Sequence, residues 1–203
     1  PVVILRKNIG CDIPEMVAPG HEHIGFMLPY TPLHHLLLDK SELLVMTSGN
    51  ISDEPIACGN NEAIENLKNI ADFFLVNNRD IHVRCDDSVA RIFDGLEILS
   101  RRSRGYAPEP LKLPFFVKGN ILACGSHQKN TFCLVKRNNA FISQHIGDLD
   151  NMGTLSFFEG AIEHFKKIFD INPGIIAFDM HPEYASSKYA AGHPVPSGQM
   201  IAV

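Results

Sequence analysis

The stretch from Ile121 to Val203 sets the tightest limit on the fold. Three short strand patterns, "ILACG", "TFCLVK" and "AFISQHI", are joined by the turns "SHQKN" and "RNN", and turns this short join antiparallel neighbours. An amphipathic helix pattern follows, "TLSFFEGAIEHFKKIF", then the strand "IIAFD", the helix "PEYASSKYAA" and a last strand beginning at "MIAV". Three antiparallel strands followed by helix, strand, helix and strand predict a mixed α/β unit.

The preceding residues read as a second mixed unit. "VVIL" and "LLVMT" are expected to be buried strands, and "TPLHHLLL" a helix capped by Thr31 with Pro32 at its first position. The amphipathic "NEAIENLKNI" predicts another helix and "FFLV" another strand, while "SVARIF" and "LEILSR" flank Asp94-Gly95, a dipeptide suited to a two-residue hairpin turn. Between the units lies "APEPLKLPFFVKGN", where Pro108, Pro110 and Pro114 block helix and central-strand pairing. The expected division is therefore residues 1–112, a linker at 113–120, and 121–203.

Composition narrows the class further. The chain has 203 residues, 45% hydrophobic and 20% charged, as in an ordinary globular protein of one large or two small domains. No apolar run approaches 20 residues and "PVVILRKN" lacks the regions of a signal peptide, so a cytoplasmic location without membrane attachment is expected. A formal charge of −5 disfavours nucleic acid as a partner. The five cysteines Cys11, Cys58, Cys85, Cys124 and Cys133 show no CxxC spacing, which argues for reduced thiols rather than a disulfide or zinc framework. With no initiating Met and a strand at its very start, the chain is expected to be a fragment.

Three motifs carry candidate chemistry. In "TSGN", Ser48 and Asn50 follow a strand pattern and could donate to phosphate or ribose oxygens, although the same residues are good turn formers. In "RRSRG", alternation along a strand would send Arg102 and Arg104 to one face as a fork for phosphate or carboxylate; charges guarding a sheet edge, or pairing with Asp86 and Asp87, is the plainer reading. In "GSHQKNTF", Lys129, Asn130 and Thr131 occupy a turn that either wraps phosphate or is an ordinary hairpin loop. The histidines, among them His21 with His23, His34 with His35, His145 near Asp148 and His181 near Asp179, have no diagnostic metal spacing.

In order along the chain, these stretches carry a resemblance. "GFMLPYTPLHHLLL", "LVMTSGNISDEPI", "NRDIHVRCDDSVAR" and "RRSRGYAPEPL" resemble the YrdC-like domain of the HypF-type carbamoyltransferases of hydrogenase maturation. "CGSHQKNTFCLV", "FISQHIGDLDN" and "AFDMHPEYASSKYA" resemble the start of that family's second module, similar to the threonylcarbamoyl-transferase fold. The implied fold class is α/β (α+β), a YrdC-like mixed twisted sheet followed by a ribonuclease-H-like half-domain of actin and sugar-kinase type.

The implied chemistry takes carbamoyl phosphate and ATP with Mg²⁺ to carbamoyl-adenylate. The carbamoyl group then passes to the C-terminal cysteine of a HypE-type acceptor, toward the cyanide ligands of nickel–iron hydrogenase. By the resemblance, Ser48 and Asn50 match the SxN nucleotide motif, Arg102 and Arg104 neutralise phosphate, and Lys129, Asn130 and Thr131 fall on the phosphate loop of the second module. A Zn or Fe site is expected in the second module with ligands outside this chain, in an HxxxH soon after Val203. The basic segment of YrdC-like domains, the acylphosphatase domain and the cysteine-rich zinc-finger segment have no counterpart here, so the chain is expected to be inactive alone. Two other readings stay open, a YrdC-type threonylcarbamoyl-AMP synthase or RNA-binding relative, and a catalytically incomplete interaction fragment.

Overall fold

The computed structural model describes residues 1–10, 12–39, 43–52, 54–193, 195 and 199–203. In the first half, β1 (Val2–Arg6) and β2 (His23–Phe26) pair antiparallel, with Val3 opposite Phe26. Helices α1 (Pro32–Leu38) and α2 (Asn60–Leu67) follow, then β3 (Val89–Phe93) and β4 (Leu96–Arg101). The sheet order is β2-β1-β3-β4, with β1 parallel to β3.

Local chemistry explains the elements that sequence predicts well. Thr31 Oγ1 accepts the His34 amide at 3.2 Å, and Pro32 spends no donor in the first turn of α1. Glu62 reaches back to the amides of Cys58 and Gly59 at 3.0 and 3.1 Å, satisfying orphan donors at the start of α2. Asp94 and Gly95 both take positive φ, 50° and 73°, which brings Phe93 opposite Leu96.

Two expectations fail in this half. "LLVMT" is not a buried strand: no strand runs through residues 43–48, and Leu43 and Val45 are 67% and 74% exposed. "FFLV" is likewise outside any strand, with Phe73 93% exposed. Their β propensity is real, but a strand exists only where another backbone takes its N–H and C=O groups, and among the described residues none pairs with them. The unanticipated strand β2 shows the converse. It holds His23 and Gly25, poor strand formers, yet β1 recruits it, and a Cβ on Gly25 would lie 2.7 Å from Val2 Cγ1.

The second half comprises β5 (Leu111–Lys112), β6 (Asn120–Ala123), β7 (Cys133–Lys136), β8 (Asn139–Ile142), α3 (Met152–Phe169), β9 (Ile175–Phe178), α4 (Ala185–Gly192) and β10 (Gln199–Ala202). The sheet order is β10-β9-β6-β7-β8-β5. β6, β7 and β8 form the antiparallel meander expected from the short turns, while β9 joins β6 and β10 joins β9 in parallel. The proline-rich seam is tied to this sheet: β5 pairs with the edge of β8, and the amides of Leu113 and Val117 reach Asn138 O and Arg137 O at 2.9 Å each.

Most of the buried core lies here. Phe158, Ala161, Ile162 and Phe165 form one face of α3, and Phe132 of the sheet meets Phe158 and Phe165 edge-on at 6.0 and 5.2 Å. Asn151 caps α3 by accepting the Thr154 amide at 2.8 Å. At the other end Asp170 turns left-handed, and Lys136 of β7 donates to Asp170 O at 2.6 Å. Replacing Asn151 with alanine is expected to cost about 1 kcal/mol of stability, read by urea denaturation; an unchanged midpoint would show that the cap is dispensable.

Cys58, Cys85, Cys124 and Cys133 are free thiols; Cys11 lies outside the described residues.

Candidate functional site

The "TSGN" loop is exposed at Thr47, Ser48 and Gly49. Asn50 spends its side-chain amide on Ile51 O and Glu54 O at 2.9 and 3.0 Å, and the Ala57 amide reaches Gly49 O at 3.0 Å. Asn50 is therefore a brace that closes residues 50–54, whereas the Ser48 hydroxyl makes no hydrogen bond among the described residues. The loop packs toward the second half, since a Cβ on Gly153, in the first turn of α3, would lie 3.5 Å from Pro55 Cγ.

The arginines do not form the expected fork. β4 ends at Arg101, so strand alternation no longer aligns Arg102 with Arg104. Arg102 donates to Tyr106 O and Glu109 O, each at 2.7 Å, and to Ile142 O at 3.2 Å, which fastens the seam to β8. Partial burial lowers its basicity while Glu109 opposes that. Arg104 turns the other way, donating to Tyr30 Oη at 2.5 Å and Cys85 O at 2.8 Å, with Asp87 3.7 Å away. Burial works against its charge, but Asp87, Tyr30 and Cys85 together outweigh this and raise its basicity.

A buried pair that sequence reasoning missed sets this split. Ser88 Oγ donates to Arg104 O at 3.0 Å and accepts the Ser103 amide at 2.7 Å, both serines being fully buried. Ser88 follows Asp86 and Asp87, and Ser103 sits between Arg102 and Arg104, so the charged neighbours give no local signal that either serine is buried.

In the second half, the loop after β6 turns on Gly125, whose φ is +72° and whose Cβ would lie 2.1 Å from Thr131 O. Asn130 is fully buried; its amide donates to Cys124 O at 2.9 Å and Ser126 O at 2.5 Å, so it holds the loop from inside. Lys129 has φ +47° and its amide is held by Asp148 Oδ1 at 2.6 Å. The Lys129 ammonium and the Thr131 hydroxyl make no hydrogen bond or ion pair among the described residues. His127 adds a second carboxylate anchor, with Nε2 2.7 Å from Asp150 Oδ1, while its Nδ1 accepts the Ala185 amide at 3.3 Å. Nothing in "SHQKN" alone announces those two contacts, which depend on residues 23 and 58 positions away.

His145 joins the two halves. Its amide donates to Arg102 O at 3.1 Å. Burial lowers the basicity of its imidazole, as do Arg101 and Lys129, against the opposing pull of Asp86 and Asp148. Arg101 and Asp86 come from the arginine hairpin, Lys129 and Asp148 from the second loop, so both candidate loops act on one imidazole. The expected meeting of His145 with Asp148 is thus electrostatic, while Asp179 meets the His181 amide at 2.8 Å rather than its ring.

The donors left uncommitted among the described residues are the Ser48 hydroxyl in one loop and the Lys129 ammonium and Thr131 hydroxyl in the other, groups of the kind that donate to phosphate oxygens. Among the described residues no three His, Cys, Asp or Glu side chains come together as they would to hold a metal ion. No helix of the described residues is long and apolar enough to cross a membrane.

Comparison with known proteins is consistent along the chain. A family model described as the HypF Kae1-like domain matches residues 117–203, and one described as telomere recombination, of the Sua5, YciO and YrdC group, matches residues 1–103. Carbamoyltransferase HypF of Synechocystis is 45% identical over 97% of this chain and 26% of its own length. HypF2 of Cupriavidus necator is 42% identical over 94% and 26%. The chain thus spans about a quarter of the curated relatives it matches. Among solved structures, a full-length HypF in a phosphate- and nucleotide-bound form superposes with a TM-score of 0.91 at 47% identity, covering 100% of this chain and 32% of that one. HypF of T. kodakarensis gives 0.91 at 38% identity, covering 99% and 27%.

Proposed function

The chain belongs to the HypF family of carbamoyltransferases, and from that premise we propose that it supplies parts of two nucleotide-handling loops to an ATP-dependent carbamoyl transfer. In this reading, water releases inorganic phosphate from carbamoyl phosphate, and the carbamate so formed displaces pyrophosphate from ATP, with Mg²⁺, to give carbamoyl-adenylate. The carbamoyl group then passes to the C-terminal cysteine of a HypE-type acceptor in the cytoplasm, where the thiol loses its proton and AMP leaves.

The observation that carries the proposal is geometric: the His145 amide donates to Arg102 O at 3.1 Å and the Lys129 amide to Asp148 Oδ1 at 2.6 Å, which ties the segment after β8 to both the arginine hairpin and the second loop. A solved relative at 47% identity, described as phosphate- and nucleotide-bound, supports it. Adenylation and acyl transfer depend on oriented donors for phosphate oxygens more than on a side-chain nucleophile. Ser48 would donate its hydroxyl to a phosphate or ribose oxygen while Asn50 keeps the loop closed around it. Lys129 would neutralise charge in the second loop and Arg104 in the first, whereas Arg102 acts by holding the halves together. A metal of the Zn or Fe type belongs, in this proposal, to residues outside this chain.

The test is pyrophosphate exchange into ATP, stimulated by carbamoyl phosphate, in a full-length protein carrying Ser48→Ala with Asn50→Ala. Loss of one good donor plus the loop brace is expected to lower the exchange rate by about a hundredfold. Exchange at the parental rate would remove the nucleotide role from this loop.

A further inference from the structure

Helix α3 has a second face. Opposite its buried Phe158, Ile162 and Phe165, the residues Phe157, Gly160, His164 and Lys167 recur at helical spacing along a cleft of 680 Å³. The far wall comes from the first half, residues 81–84. The His82 ring stands edge-on to His164 with centroids 5.4 Å apart, so an imidazole from each half meets inside the cleft.

The charged groups here divide into spent and free. Arg84 is spent on Ile56 O at 2.6 Å and Glu62 Oε1 at 3.0 Å, and Glu163 is held by Lys166 at 2.7 Å. Among the described residues His82 and His164 have only each other's rings, and Lys167 makes no hydrogen bond or ion pair. The uncommitted groups are therefore two nitrogen bases and an ammonium, in a chain whose net charge is −5. Beside them lie the apolar side chains of Val83 and Phe157. A space of this size, mostly apolar with a few convergent polar groups, suits a small molecule.

We propose that this cleft binds the oxyanion of a small metabolite, phosphate monoester or carboxylate, with its apolar part against Phe157 and Val83. Lys167 supplies the charge, and His82 and His164 donate from opposite halves. Because the ligand touches both halves, it favours the arrangement in which they are closed on each other. The site is separate from the Ser48 and Lys129 loops and does not depend on their proposed role.

The test is a titration of a full-length protein carrying this chain, with ¹⁵N-labelled histidine, against inorganic phosphate at constant pH and ionic strength. Saturable shifts at both His82 and His164 are expected, weakened about tenfold by Lys167→Met through loss of a charge-assisted contact. Lys129→Met is expected to leave them in place. A parallel titration with acetate separates the sources: tighter phosphate assigns a phosphate monoester, tighter acetate a carboxylate. Absence of saturable shifts with both anions, shifts insensitive to Lys167→Met, or shifts abolished by Lys129→Met would overturn the proposal.

Discussion

Gly125→Ala is expected to lower the stability of the second half by about 3 kcal/mol or more, the largest effect of any glycine substitution among the described residues. Two costs combine. The residue must hold a φ of +72°, which costs an alanine about 1–2 kcal/mol. Its Cβ would also lie 2.1 Å from a backbone oxygen, that of Thr131, which cannot swing aside as a side chain can. The collision falls at the base of the Lys129 loop, so loss of stability and loss of any phosphate contact there arrive together. The chain has no Trp, so the measurement is helical circular dichroism during heating, with an expected fall of about 10 °C in midpoint. Gly160→Ala is the control: nothing lies within 4 Å of its Cβ and it sits inside α3. That substitution is expected to stabilise by about 0.5–1 kcal/mol. Equal effects of the two would refute the geometric account of the loop.

Amide exchange is expected to separate residues 43–46 and 73–76 from strands β6, β7 and β9 by at least about a thousandfold. The first two segments make no ladder hydrogen bonds and leave Val45, Phe73 and Leu75 between 73% and 93% exposed. The strands surround fully buried Phe132, Leu134 and Cys124. The thiols give a second readout. Burial pushes Cys124 up to about 12 and Cys133 up to about 11, so both stay protonated at pH 8 while folded. Iodoacetamide at that pH is expected to modify neither until the second half unfolds. Comparable protection of 43–46 and β7, or rapid labelling of Cys124 in the folded chain, would contradict this division of stability.

These contrasts explain which expectations the sequence could support. The cap at Thr31, the Asp94-Gly95 turn and the apolar stripe of α3 depend on residues within a few positions of one another, and all three stand in the structure. "LLVMT" and "FFLV" have the same local signature as β6 and β9, yet they differ in having no partner backbone among the described residues. Pairing is a relation between distant segments, so apolar, β-branched composition alone cannot report it.

The candidate site divides in the same way. Its residue types, and the order of the loops that bear them, were legible in "TSGN", "RRSRG" and "GSHQKN", and the comparisons place that order in the HypF family. The roles within each loop were not. Asn50, Arg102 and Asn130 donate to backbone carbonyls, while the side chains of Ser48, Lys129 and Thr131 make no hydrogen bond among the described residues. Sequence alone determined the order of elements in the second half and the loops that carry polar chemistry, because those follow from local periodicity and turn chemistry. Only the tertiary structure decided which donors remain available, since a carbonyl such as Glu54 O, Tyr106 O or Cys124 O accepts from whichever amide or guanidinium the fold brings within reach.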